Sequence, residues 1–254
     1  MAAGHAHALY VHGHSPVHRL APEVKVAAAF LFVIGVALTP NEGTWAFGVD
    51  LVALLVVVRL AELPLRFVAS RAMVVLPFIV FAVFIPFIAS GDRVEVLGVA
   101  VSAEGLAAAR AIVAKSVIGA STTVVLAGTT ETPAIMAGLA RLRVPVVLTT
   151  IATFMIRYLE VLTGELGRMR TAMTARGYDP RWLWQVKPIA SSAGALFVRS
   201  YERGERVHAA MLARGFTGEM PAPSLRHGDT RQWLAVLWLP AVSIAATVGT
   251  VTSL

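Results

Sequence analysis

The sequence predicts an all-α integral membrane protein with about five transmembrane helices and a cytoplasmic region of one short and two long, crossed amphipathic helices. Three observations predict it. Hydrophobic residues make up 57% of the 254 and charged residues only 15%, which is more apolar surface than one soluble core of this size takes up. Several stretches reach or approach the roughly 20 residues that a helix needs to cross about 30 Å of hydrocarbon. The positive charge is also concentrated, because Thr129 to Trp233 holds 14 Lys and Arg against 8 Asp and Glu, six of the seven excess positive charges in the chain. The expected division is a membrane bundle over 1–128 with a cytoplasmic tail and four crossings, cytoplasmic helices over 129–233, and a last crossing over 234–254.

Met1 to Ser15 has no basic stretch followed directly by an apolar core, so no cleaved signal peptide is expected. His5, His7, His12, His14 and His18 crowd this segment. Two His-x-His pairs can ligate a divalent transition metal, and a flexible polar tail accounts for them equally well. No carboxylate accompanies them before Glu23, so no metal site is assigned.

The apolar stretches follow in order: Val24 to Thr39, Trp45 to Leu60, Met73 to Ala89, Gly105 to Gly128 and Leu234 to Leu254. The fourth contains Arg110 and Lys115 among many small residues, which lets neighbouring backbones approach closely and places this helix inside the bundle. Asp50 lies about one and a half turns into its helix and Arg110 at a similar depth in its own. If both helices start at the outer face the two can pair, as a structural ion pair or, less expectedly, with a transport role; otherwise each snorkels separately to the interface. Between the third and fourth stretches, Val94, Glu95, Val96, Gly98, Val99 and Val101 read either as a short hairpin or as an extended loop.

Thr129 to Pro133 supplies hydroxyl caps followed by Pro, so a short helix through Ile135 to Leu142 is expected at the membrane surface. From Val146 the apolar residues Leu148, Ile151, Met155, Tyr158, Leu162, Leu166, Met169 and Met173 recur every three or four positions and predict one long amphipathic helix. A turn at Tyr178-Asp179-Pro180 follows. A second long helix runs through Ile189, Leu196, Phe197, Tyr201, Val207, Met211 and Leu212, with Gly194, Ser200 and Gly204 as small patches where another helix can cross.

The two long helices end in near copies, Met173-Thr174-Ala175-Arg176-Gly177-Tyr178 and Met211-Leu212-Ala213-Arg214-Gly215-Phe216. One Ala-Arg-Gly alone is a routine helix stop, with Gly left-handed and Arg at the negative end of the dipole. Two copies in one six-residue frame point to paired contact sites. A guanidinium at a helix tip offers several donors to carboxylates and carbonyls in a partner's groove, and the adjacent aromatic is an apolar anchor. The charge asymmetry orients the chain: the basic region is cytoplasmic, the loop carrying Arg59, Arg66 and Arg71 is inside, and the amino terminus is inside with the carboxyl terminus outside.

The two Ala-Arg-Gly ends and the opening Ser15-Pro16-Val17-His18-Arg19-Leu20-Ala21-Pro22-Glu23-Val24-Lys25 resemble the transmembrane T component of energy-coupling factor (ECF) transporters, the EcfT/CbiQ family, in its cobalt and nickel branch. The likeness covers nearly the whole chain. It implies a subunit of an ABC-type importer in the bacterial inner membrane, in which Ala175, Arg176, Gly177, Ala213, Arg214 and Gly215 engage two ATPase subunits. It further implies that the membrane helices hold a substrate-binding S component, and that the solute is cobalt or nickel, in service of cobalamin biosynthesis, or a vitamin such as biotin.

The residues agree on where the energy comes from. A phosphate-cradling loop needs Gly-Lys, whereas Lys25, Lys115 and Lys187 follow Val24, Ala114 and Val186. ATP and magnesium are therefore expected to belong to partner subunits, with no cofactor and no catalytic residue on this chain. There is no Cys, which excludes disulfides and thiolate metal sites. A membrane enzyme is disfavoured by the absence of His-Glu-x-x-His and by the scatter of Asp50, Asp92, Asp179 and Asp229. A passive scaffold stays open as a rival. Nucleic acid is not an expected partner, because the basic residues lie along amphipathic helices, where topology and anionic headgroups of the bilayer explain them.

Overall fold

Helix α1 (Pro22–Leu38) starts at a proline, whose missing N–H costs nothing in a first turn. After a short turn, α2 (Thr44–Leu60) runs back. These are the first two expected crossings, each of 17 residues, about 25 Å long. The structure is a computed structural model that describes residues 10–90, 93–96, 99–178, 187–218 and 227–253.

Ala61 to Pro64 is the whole connection after α2, with Glu62 at a φ of 55°. Next come α3 (Leu65–Ala72), a 3₁₀ turn (Met73–Val75) and α4 (Leu76–Ile88). The expected basic loop is therefore mostly helix: Arg59 closes α2, while Arg66 and Arg71 sit on α3. Pro64 provides the reason, because it halts one helix and starts the next, and the Arg71 guanidinium stacks 3.8 Å from the Phe67 ring centroid one turn away.

Strands β1 (Arg93–Val96) and β2 (Val99–Ser102) pair antiparallel, Arg93 opposite Ser102 and Val94 opposite Val101, so this segment is a hairpin. Asp92 and Gly98 lie outside the described residues. Ser102 then caps α5 (Ala103–Thr129), its Oγ accepting from the Gly105 N–H at 3.2 Å. The remaining helices are α6 (Thr132–Arg141), α7 (Val146–Ala175), α8 (Lys187–Ala213) and α9 (Thr230–Ser253). Among the described residues, four helical stretches are long and apolar enough to cross a bilayer: Leu65–Ile88, Ala103–Thr129, Val146–Ala175 and Thr230–Thr252. The chain is an all-α, multi-pass membrane protein.

Two compact units emerge, one formed by Leu9–Leu142 with Ser224–Leu254 and the other by Arg143–Pro223. In the first, Phe32 and Val36 of α1, Leu54 and Val58 of α2, Ala111 and Ile118 of α5 and Leu239 of α9 share one core. As expected, α5 lies inside this bundle, touching α1, α2, α3 and α4. By contrast Phe78, Phe81, Phe84 and Phe87 of α4 point outward, an apolar surface suited to lipid tails. Gly35 lets α1 and α9 approach, since a Cβ there would sit 2.6 Å from Ser243 Oγ.

Glu23 ties three elements of this unit together. Its carboxylate accepts from Arg141 of α6 at 3.1 Å and from the Gly228 N–H, just before α9, at 2.7 Å. Helix α6, which the sequence groups with the long basic helices, thus packs on the start of α1. The expected Asp50–Arg110 pair does not form. Asp50 is wholly buried and faces Ser243, with neither making a hydrogen bond among the described residues, whereas Arg110 is exposed on α5. Arg110 turns outward because the neighbouring α5 positions Ala109 and Ala111 are the ones that enter the packing. Lys115 donates to the Ala37 carbonyl of α1 at 3.0 Å.

Candidate functional site

Helices α7 and α8 run antiparallel. Near one end, Ser192 Oγ donates to Met173 Sδ at 3.4 Å, and further along Glu165 meets Arg199 at 3.2 Å and Arg203 at 3.6 Å. Arg168, one turn along α7, adds a third contact to the same carboxylate at 3.1 Å. Beyond this ion cluster a groove of about 500 Å³ opens, lined by Phe154, Tyr158 and Leu162 of α7, by Val207 and Met211 of α8, and by Phe216.

The half-buried positions of α7 include the series Phe154, Tyr158, Leu162, Glu165, Met169 and Met173 beside Thr150, Ala152, Thr153, Ile156 and Gly164, and those of α8 are the series Ser192, Leu196, Ser200, Arg203, Val207 and Met211. Both series step by three or four, so each helix offers one face to the other. The face of α7 is rotated from the expected stripe: Leu148, Met155 and Leu166 are exposed, and Glu165 takes a central place. On α8, Phe197 and Tyr201 are likewise exposed rather than inward. Glu165 takes its central place because Arg199 and Arg203 of α8 reach its carboxylate across the pair, a contact that an apolar stripe does not mark. Nor do the glycines govern the crossing, since a Cβ at Gly194 or Gly204 would meet nothing within 4 Å.

The two Ala-Arg-Gly ends have the same local structure. The Tyr178 N–H donates to the Met173 carbonyl at 3.1 Å and the Gly177 N–H to Thr174 at 2.9 Å; the Phe216 N–H donates to Met211 and the Gly215 N–H to Leu212, both at 3.0 Å. Gly177 and Gly215 have φ values of 80° and 81°. This is the Schellman arrangement, in which Gly takes the left-handed position and a residue two beyond the cap packs on one three before it. Met173 with Tyr178, and Met211 with Phe216, occupy those packing positions, and all four are half-buried. Met, Gly and the aromatic are therefore explained by stopping a helix. Arg176 and Arg214 are not: both are exposed, and neither has an ion-pair partner among the described residues.

Their placement is symmetric. Arg176 lies eleven residues beyond Glu165 on α7, and Arg214 eleven residues beyond Arg203 on α8. At 1.5 Å per residue and in opposite directions, the two arginine positions are about 33 Å apart along the helices, with the ion cluster between them. Glu165, Arg199 and Arg203 are the part of this site that the sequence reading missed. Asp179 and Pro180 of the expected turn lie outside the described residues, as do His5 and His7. His18 has its ring nitrogens 2.7 Å from Ser15 Oγ and 2.9 Å from the Val11 carbonyl oxygen.

The CbiQ family, described as cobalt transport protein, matches residues 13–224 of the chain. Among curated proteins, the cobalt transport protein CbiQ of Rhodobacter capsulatus is 32% identical over 190 residues, 74% of this chain and 76% of that one. The energy-coupling factor transporter transmembrane protein EcfT of Bacillus subtilis is 29% identical over 224 residues, 82% of this chain and 83% of that one. The EcfT protein of Listeria innocua is 26% identical over 223 residues, with the same coverage of each chain.

Proposed function

We propose that this chain, which belongs to the CbiQ family of cobalt transport proteins, is the energy-coupling subunit of an ECF-type importer for cobalt. The family is one of transporter membrane components. In this reading Arg176 and Arg214 each dock in a groove on one of two ATPase subunits, which bind ATP and magnesium, while the membrane helices hold the substrate-binding S component. In this reading the α7–α8 pair lies on the cytoplasmic side, supported by the surplus of Lys and Arg there, and α7, though apolar enough to cross a bilayer, does not cross it.

The observation that carries the reading is the pair of matched helix ends, each presenting an exposed arginine with no ion-pair partner among the described residues. Two identical contact groups at positions about 33 Å apart along the helices suit two copies of one partner better than a single partner. The Glu165 cluster between them is a natural pivot: charged contacts between two helices tolerate sliding and rotation of the arms while keeping the crossing point fixed. When ATP closes the two ATPases, the docked tips approach, and the arms carry that displacement toward the membrane helices. The outward apolar residues of the pair, Ile151, Met155, Phe197 and Tyr201, form a surface for a membrane-embedded partner.

The test is association. With the cognate ATPases co-expressed, Arg176→Ala and Arg214→Ala should each weaken co-purification, and the double variant should abolish it. A truncated exposed arginine at a partner's pocket typically costs about 2 kcal/mol or more, some thirtyfold in affinity. Undiminished co-purification of the double variant would rule out the docking role. Uptake of radioactive cobalt against nickel and biotin identifies the solute, and capture of only a non-nucleotide protein would favour the scaffold alternative.

A further inference from the structure

The segment before α1 packs beside the junction of α5 and α6 and borders an open cleft of about 320 Å³ with a mixed polar and apolar lining. Arg19, Lys25, Thr129, Thr130 and the first residues of α6 line it. Lys25 is buried and donates to the Thr129 carbonyl at 2.8 Å, which engages one of its three N–H groups. Thr130 is 4% exposed, and its hydroxyl has no hydrogen-bond partner among the described residues. A buried hydroxyl without a partner is costly, and such groups mark places where something else binds.

The α6 terminus adds to this. Its flanking residue Glu131 makes no side-chain cap, and Pro133 has no N–H, so the amide of Ala134, on the cleft wall, lacks the acceptor that a capping side chain would supply. The positive end of the helix dipole faces the same space. His18 also lines it, but both its ring nitrogens already face Ser15 and Val11, so the ring serves as wall. Among the described residues Glu131 is the one carboxylate on the lining, and it is exposed.

Lys25, Arg19, Thr130 and Ala134 line one space, and the donors they carry suit a ligand with several acceptor oxygens. We propose that this cleft binds a phosphate group. It lies where α5 ends and α1 and α6 begin, at the level of lipid headgroups whichever way the bundle is inserted. A phospholipid headgroup and free inorganic phosphate present the same oxygens, and experiment separates them.

The full-length chain, purified in detergent and freed of lipid, is titrated with phosphatidylglycerol, with inorganic phosphate, with diacylglycerol as a phosphate-free lipid and with chloride. Binding is read by native mass spectrometry and by thermal shift. Saturable binding of phosphatidylglycerol alone assigns a lipid headgroup; binding of inorganic phosphate as well assigns the free ion. In either case the double variant Arg19→Ala, Thr130→Val should bind about tenfold more weakly, the equivalent of about 1.4 kcal/mol. Thr130→Val by itself should leave ligand-free stability at or above that of the parent chain. The proposal is overturned if neither phosphate probe exceeds its control, if the double variant binds like the parent, or if Thr130→Val lowers ligand-free stability.

Discussion

Glu23→Ala is expected to destabilise the membrane unit by about 3 kcal/mol. The carboxylate is 7% exposed and Arg141 15%, and it accepts from Arg141 at 3.1 and 3.3 Å and from the Gly228 N–H at 2.7 Å. Alanine withdraws a charged acceptor from both donors. Hydrogen bonds to charged groups contribute about 1.5–3 kcal/mol each, and breaking a buried ion pair costs about 3–5 kcal/mol. The lower part of that range applies because the Arg141 side chain keeps some contact with water. Arg141→Met should cost about 2 kcal/mol, since it leaves the buried carboxylate without its guanidinium partner, held by the Gly228 N–H and its own backbone amide. Because both variants remove the same contact, Glu23→Ala with Arg141→Met should cost less than the sum, with a coupling energy near 2 kcal/mol. Equilibrium unfolding in mixed SDS micelles measures all three. A single-variant loss below about 0.5 kcal/mol, or strict additivity, would refute the view that Glu23 fastens α6 and the start of α9 to α1.

Gly177→Ala should cost about 1–2 kcal/mol, because alanine resists a φ of 80°, while Gly167→Ala, in open space on α7, should gain up to about 1 kcal/mol. Opposite signs in thermal unfolding support the left-handed helix ends; equal signs count against them. Asp50→Asn keeps the side-chain volume and removes a carboxyl that has no hydrogen bond among the described residues. Its stability should equal or exceed that of the parent, and a loss above about 2 kcal/mol would mean that Asp50 has an essential partner.

Much of this protein is legible in its sequence, and the exceptions share a cause. The helix ends are the clearest case: Gly at the stop with Met and an aromatic five residues apart is local chemistry, and the hydrogen bonds at Met173 and Met211 follow it. Long apolar runs likewise show α1, α2, α4, α5 and α9. What fails is inference across elements. An apolar stripe marks only part of the α7 face toward α8, since the half-buried Glu165 takes a place there opposite Arg199 and Arg203. Depth along two helices does not reveal which way each is turned, so Asp50 faces Ser243 while Arg110 looks outward. Arg66 and Arg71 read as loop because α3 is only 8 residues long, about two turns, too few for a repeating pattern to stand out. The cleft beside Lys25 and Thr130 joins residues more than a hundred positions apart, and no local pattern marks it.

ATP-driven cobalt uptake by proteoliposomes holding the complete complex tests the coupling role most directly, with Arg176→Ala, Arg214→Ala chain against the parent. The account predicts uptake at background in the double variant, with the membrane unit still folded. Uptake at the parent's rate would contradict it.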